Sequence, residues 1–430
     1  MLFNSYEFIF LFLIPVFAVY LLLSLKSLSQ SSELKVWFFI FVSLVFYAQW
    51  SLEHLGVLLG SIAVNYLLAR IHLDSRVDKK VILFIVVVLN LIPLLYYKYS
   101  DFLEITSHPI VLPLAISFFT FQQIAFGVDL YRGKIVSSSF RDYLFFVLFF
   151  PQLIAGPIVH YHYLVDQING WGCRVRSDAV FAGVVLFSMG LFSKVVLADN
   201  LVKSSYDSWS DVFSYSFMIY FDFSGYANMA IGLALMFGIV LPINFNSPYK
   251  ARNLAEFWRT WHITLSDFLK EHIYIPLGGN RFGVKKQIFA LMSTMVIGGI
   301  WHGAGWNFLL WGAGHGVGLV FLVLLNRFYK FKILSIFGVI VTFLYVSLLW
   351  VLFFSRTLDD ALSVYKILFS LDEFRVGLVD GVWLFVAAVV VWGFPNANAI
   401  INIQKKDYGL RVWHGYMAGV PSSDFVYFNF

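Results

Sequence analysis

The sequence predicts an all-α polytopic integral membrane protein, and three observations carry that expectation. Of the 430 residues, 60% are hydrophobic and 20% aromatic while only 13% are charged, and the mean hydropathy is +0.78, outside the range of water-soluble domains. Apolar runs recur at about the 20-residue length that a helix needs to cross a hydrocarbon core roughly 30 Å thick. Basic residues also alternate between loops. Residues 26–35 carry Lys26 and Lys35, residues 50–54 carry none, 70–80 carry Arg70, Arg76, Lys79 and Lys80, and 131–141 carry Arg132, Lys134 and Arg141. By the positive-inside rule the basic loops are cytoplasmic and the N-terminus lies outside.

Element by element, spans are expected near 5–25, 36–50, 54–70, 81–98, 112–131, 142–160, 178–197, 212–240, 288–300, 305–325, 333–354 and 378–393, about eleven or twelve in all. The first has no Lys or Arg before Lys26 and no small-residue cleavage site, so it reads as a permanent span rather than a removable signal. The net charge of +5 orients helices and gives no reason to invoke nucleic acid. The single Cys173 excludes an internal disulfide framework and a cysteine-built zinc site.

The longest polar-rich interval is 242–287, where Lys250 to Lys286 hold seven Lys or Arg against Glu256, Asp267 and Glu271, which assigns it to the cytoplasmic side. On a helical wheel Leu254, Phe257, Trp258, Trp261, Leu265, Phe268, Leu269 and His272 share one arc, with Arg252, Glu256, Arg259, Asp267 and Lys270 outside it. The pattern predicts an amphipathic helix of roughly five turns, lying on or dipping into the membrane and ended by Gly278 and Gly279. His262 falls at the margin of the apolar arc, and periodicity leaves packing and function both open for it.

"GGIWHGAGWNF" at 298–308 is a sharper case. An ionisable group at membrane depth is costly and, where present, faces a cavity, a partner or a reaction path. A neutral imidazole can also take a proton from a hydroxyl near neutral pH. Gly298, Gly299, Gly303 and Gly305 around His302 read as clearance for a reactant, although helix packing accounts for them equally at this stage. No phosphate loop, H-E-x-x-H pair or G-x-S-x-G elbow occurs, so nothing points to ATP hydrolysis, zinc proteolysis or serine hydrolysis.

Together these blocks resemble the membrane-bound O-acyltransferases, within them the bacterial branch of alginate O-acetylation and teichoic-acid D-alanyl transfer proteins. The likeness runs through "FNSYEFIFLF" (3–12), "ISFFTFQQIAFGVDLYRG" (116–133), "FFPQLIAGPIVHY" (149–161), "LFSKVVLADNL" (191–201), "IYFDFSGYANMAIGLALMFGIVLPINFNSPY" (219–249), "EFWRTWHITLSDFL" (256–269), "YIPLGGNR" (274–281) and "GGIWHGAGWNFLLWGAGHG" (298–316). The resemblance implies membrane helices around a central reaction tunnel. It implies His302 as the catalytic histidine, His262 as the second functional position, and Trp301, Gly303, Trp261 and Arg259 as supporting residues. It implies a cytoplasmic thioester donor, acetyl-CoA or alternatively an acyl carrier protein thioester, with no tightly bound cofactor and no metal. An extracytoplasmic SGNH-type acyltransferase is the implied partner, and the location is the bacterial cytoplasmic (inner) membrane.

Residues 1–410 are then one acyltransferase domain and 411–430 a tail ending "FVYFNF", whose Tyr427 is a candidate acyl relay. His272 departs from the family's usual aromatic residue and is assigned to packing. Asp222 is assigned to shaping a helix break and bonding locally. Acetyl transfer to an envelope glycan or exopolysaccharide is the leading expectation. D-alanyl transfer to teichoic acid is the alternative, and a non-catalytic acyl or polymer transporter is the alternative of another class.

Overall fold

A computed structural model of the protein describes residues 1–24, 32–74, 77–106, 110–169, 171, 175–203, 205–328, 335–370 and 377–401, and all regular structure among them is helical. The chain divides into two compact units. Among the described residues, the first takes in 1–188 and 228–242, the second 189–227 and 243–401.

In the first unit a π-helical stretch, Glu7–Leu13, runs into α1 (Ile14–Leu23), followed by α2 (Ser32–Ala48), α3 (Leu52–Asp74), α4 (Lys79–Tyr99) and α5 (Ile116–Tyr131). The segment expected to cross at 142–160 does not form one helix. It is divided into α6 (Phe140–Leu148), α7 (Phe150–Leu153) and α8 (Tyr161–Asn169). Pro151 is the cause: it has no N–H to bond the Val147 carbonyl and its ring crowds that carbonyl, so α6 ends at Leu148, Phe149 leaves the helical region, and α7 restarts with the proline in its first turn. The backbone groups freed by the break are satisfied inside the unit. Phe150 donates to Ser43 Oγ at 3.0 Å, and the Phe146 carbonyl accepts from Gln122 Nε2 at 2.7 Å and Gln152 Nε2 at 2.6 Å. Such repayment is required wherever water is excluded. The same logic pairs Asn65 of α3 with Asn90 of α4 through reciprocal amide bonds of 3.1 and 2.6 Å.

Helix α9 (Ser177–Phe192) starts in the first unit, and α10 (Trp209–Met236) contributes 209–227 to the second and 228–236 to the first. Asp222 lies within the unbroken α10, so the expected helix break is absent. Its carboxylate pairs instead with Lys194 Nζ at 2.7 Å, and the same ammonium reaches Asp199 at 2.8 Å.

The second unit continues with α11 (Leu254–Thr260), α12 (Ile263–Leu269), α13 (Val284–His302), α14 (Trp306–Phe328), α15 (Ser335–Phe354), α16 (Leu358–Phe369), α17 (Leu378–Ala388) and α18 (Ala397–Ile401). The five-turn amphipathic helix is thus corrected to two seven-residue helices and a π-helical turn, Lys270–Tyr274. Its apolar arc does not face lipid. Phe257, Trp258, Trp261, Leu265 and Phe268 are all buried within the unit.

Among the described residues, five helices are long and apolar enough to cross a membrane: Leu52–Asp74, Lys79–Tyr99, Ser177–Leu201, Trp306–Arg327 and Ser335–Phe354. Glu7–Leu23 and Leu378–Gly393 are shorter apolar helices. The protein is a multi-pass membrane protein.

Candidate active site

His302 is the last residue of α13, and a three-residue link turns the chain into α14. The two helices approach so closely that side chains are excluded. A Cβ at Gly299 would lie 2.3 Å from the Phe308 carbonyl oxygen and 3.0 Å from Gly312, and one at Gly312 would lie 2.4 Å from the Met295 carbonyl oxygen. At Gly303 a Cβ would enter the Phe308 ring, 2.1 Å from its nearest carbon. Gly299 and Gly303, with Gly312, therefore close the α13–α14 hairpin, so for those two of the four glycines expected to clear a path the structure shows close packing instead. The hairpin places the partly buried His302 ring among Trp301, Trp311 and Phe353, at centroid distances of 4.7, 5.0 and 5.2 Å.

His262 occupies the junction of α11 and α12. Trp261 is extended and His262 is left-handed (φ 43°, ψ 55°), a conformation that histidine tolerates better than most side chains but still at a cost. What holds it there is the loop before α11. Ile263 donates to the Asn244 carbonyl at 2.9 Å, and Asn246 donates to the Thr260 carbonyl at 2.9 Å. The imidazole is 1% exposed, lies edge-on to Phe223 at 4.8 Å, and has Nδ1 3.2 Å from Asn244 Oδ1. Burial pushes its pKa down to about 3, so it is neutral throughout the physiological range.

Trp301 links the two histidines, with its ring 4.7 Å from His302 and 6.4 Å from His262. Trp261 supports the group from the other side, packing on Phe257 at 5.4 Å and Trp350 at 5.1 Å. His272, as expected, packs: its ring stacks on Phe268 at 4.4 Å and Nδ1 bonds the Phe268 carbonyl.

Two residues not singled out from the sequence belong to this region. His315 on α14 is fully buried, its ring 4.7 Å from Trp311, and it accepts from Trp258 Nε1 at 3.2 Å through Nδ1. Because an indole nitrogen only donates, His315 carries its proton on Nε2. The signal was a histidine four residues after Trp311 on the same helix. The other is Asn244, fully buried, visible beforehand only as one amide in "LPINFNSPY".

Beside these residues lies a cavity of about 200 Å³, lined by Arg259, Lys270, Asp267, Ser266, Trp258 and Tyr274 together with Ile263, Leu269, Thr294 and Met295. Neither His302 nor His262 lines it. Partial burial pulls the Lys270 ammonium below its ordinary pKa, against the opposing pull of Asp267 and Glu271. Tyr427 and the segment 411–430 lie outside the described residues.

The sequence matches the membrane-bound O-acyltransferase family model over residues 11–355. It is similar to the peptidoglycan O-acetyltransferase of Helicobacter pylori, with 41% identity over 423 aligned positions covering 85% of this chain and 79% of that one. It is also similar to the probable alginate O-acetylase of Azotobacter vinelandii, with 36% identity over 457 positions covering 98% and 88%. The teichoic acid D-alanyltransferase of Bacillus subtilis is a more distant relative, at 26% identity over 298 positions covering 60% and 74%.

Proposed function

This chain belongs to the membrane-bound O-acyltransferase family and is an O-acyltransferase, and on that premise we propose that it moves an acetyl group from a cytoplasmic thioester to a hydroxyl of an extracytoplasmic envelope glycan. The observation that carries the reading is the aromatic enclosure of His302, with the neutral His262 across Trp301. Thioester-to-hydroxyl transfer asks for little covalent help from a protein. It needs a base for the hydroxyl, a held donor and oriented groups. His302 removes the proton of the attacking hydroxyl, the new ester C–O bond forms as the C–S bond breaks, and the thiolate leaves with a proton. His262 orients the acceptor. Trp301 and Trp261 wall the pair, and Gly303 sets the approach of Phe308 that fixes the end of α13.

Acetyl-CoA is the preferred donor, its phosphates resting at Arg259 and Lys270 in the cavity, with no resident cofactor or metal needed. Seven Lys or Arg between 250 and 286 favour the cytoplasmic side for that cavity. Arg259→Ala with Lys270→Ala is expected to raise the KM for acetyl-CoA by roughly tenfold or more while kcat falls less, since the lost contacts hold the donor equally in ground and transition states. Steady-state kinetics of the purified protein reads this directly, and an unchanged KM removes the donor from the cavity.

The two acetyl-transferring relatives have higher identity and coverage than the D-alanyl-transferring one, which favours acetyl; a carrier-protein donor with D-alanyl remains the second reading through that relative. On the outer face of the bacterial inner membrane an SGNH-type acyltransferase would complete delivery, with Tyr427 as the relay. Tyr427→Phe then abolishes label on the acceptor while the protein stays folded and still binds the donor; normal acceptor labelling in that variant ends the relay proposal. Incubation with labelled acetyl-CoA also separates enzyme from transporter, because only the enzyme consumes the thioester in proportion to acceptor ester formed.

A further inference from the structure

The imidazole of His262 has two nitrogens, and its surroundings decide which carries the proton. Asn244 Oδ1 lies 3.2 Å from His262 Nδ1, 3.3 Å from the Thr264 backbone nitrogen and 2.9 Å from Thr264 Oγ1. A backbone N–H can only donate, so the amide atom facing it is the oxygen and not the nitrogen. An oxygen that only accepts obliges the imidazole nitrogen beside it to donate. Nδ1 therefore carries the proton. Nε2 is left with its lone pair, buried and without a hydrogen-bond partner among the described residues.

We propose that Asn244 is a positioning residue that locks His262 as the Nδ1–H tautomer, so that Nε2 accepts a hydrogen bond from a hydroxyl of the incoming acyl acceptor. The proposal rests on the reading of His262 as the acceptor-orienting residue and deepens it. It assigns His262 to the hydroxyl side of the reaction, because a nitrogen without a proton cannot stabilise the oxyanion of the tetrahedral intermediate. It also explains why a left-handed residue is kept at this junction. The turn that breaks α11 from α12 brings the His262 ring and the Thr264 amide onto one oxygen. A continuous helix would carry residues 262 and 264 on different faces. A buried, unpaired lone pair is otherwise costly, and a substrate hydroxyl relieves it.

The test uses the full-length protein in lipid nanodiscs, labelled with ¹⁵N-histidine, with the His262 signals identified by their loss in His262→Gln. The expected spectrum at neutral pH shows His262 protonated at Nδ1 and bare at Nε2. Asn244→Asp keeps that tautomer, because a carboxylate also accepts from Nδ1. It retains transfer within about tenfold at alkaline pH. Its acid limb moves to higher pH, since the added negative charge favours the imidazolium, in which Nε2 no longer accepts. Asn244→Leu loses the tautomer preference and lowers kcat/KM for the acceptor by roughly 100-fold. A wild-type His262 protonated at Nε2 overturns the proposal whatever the fate of the Leu variant, as does an Asn244→Asp profile that coincides with wild type. If instead the tautomer is as expected but His262→Gln transfers acetyl normally, the lock stands and the functional reading of His262 fails.

Discussion

Replacing His302 with alanine is expected to lower acetyl transfer by roughly 10²- to 10⁴-fold, the contribution of one positioned general base, while the protein stays folded in the membrane. Folding should survive because the α13–α14 hairpin is closed by Gly299 and Gly312, not by the histidine, whose ring is only partly buried and stands steeply inclined to the Trp311 and Phe353 rings. His302→Gln is the stricter version, since it keeps a polar side chain of similar reach but has no basic nitrogen. The measurement is the initial rate of thioester loss from labelled acetyl-CoA, with membrane-extracted protein checked for a single symmetric elution peak. A variant that elutes normally and turns over at the wild-type rate removes His302 from the chemistry and revives the transporter alternative.

Gly299→Ala is expected to be the most damaging of the conservative changes in the second unit. Its methyl would meet the Phe308 carbonyl oxygen at 2.3 Å and backbone atoms of Gly312 at 3.0 Å, and backbone inside a helix pair cannot swing aside as a side-chain end does. Overpacking of this kind costs about 1–3 kcal/mol, and here the strain falls three residues from His302. The outcome to look for is a lowered midpoint of thermal aggregation together with reduced transfer. Gly56→Ala in α3 is the matched control, because nothing lies within 4 Å of the added methyl. Alanine is the better helix former by about 1 kcal/mol, so that variant should be neutral or more stable. Equal behaviour of the two substitutions contradicts the packing role of the hairpin glycines.

The α3, α4, α14 and α15 helices were legible because each is a long apolar run with polar ends, a signal that depends on nothing outside the run. The division of 140–169 was only half legible. Pro151 was visible, but the replacements for the lost backbone bonds come from Ser43, Gln122 and Gln152, distant in sequence or unremarkable in it. The break at His262 was invisible to a helical wheel for the same reason. Every residue from 254 to 269 suits a helix, and the contacts that turn the chain come from Asn244 and Asn246. Glycine spacing around His302 announced close approach without saying of what. Substrate and helix call for the same residue, and only the position of the Phe308 carbonyl separates them. His315 stood inside a recognised block, yet its relation to Trp258 is a contact across two helices that no local pattern records.

Helix α13 also acts as a ruler. Thr294 and Met295 stand in the wall of the cationic cavity and His302 stands at the helix end, seven to eight residues further on. At 1.5 Å per residue that interval is about 11 Å. A donor whose charged end rests at Arg259 and Lys270 brings its acyl carbon to His302 only if a slender, extended arm of at least that length joins the two. On the proposed placement of the donor, compact acyl phosphates would fail this requirement and thioesters on long flexible arms would meet it, so selection among donors would be set by distance along a helix before any group in the site has touched the acyl carbon.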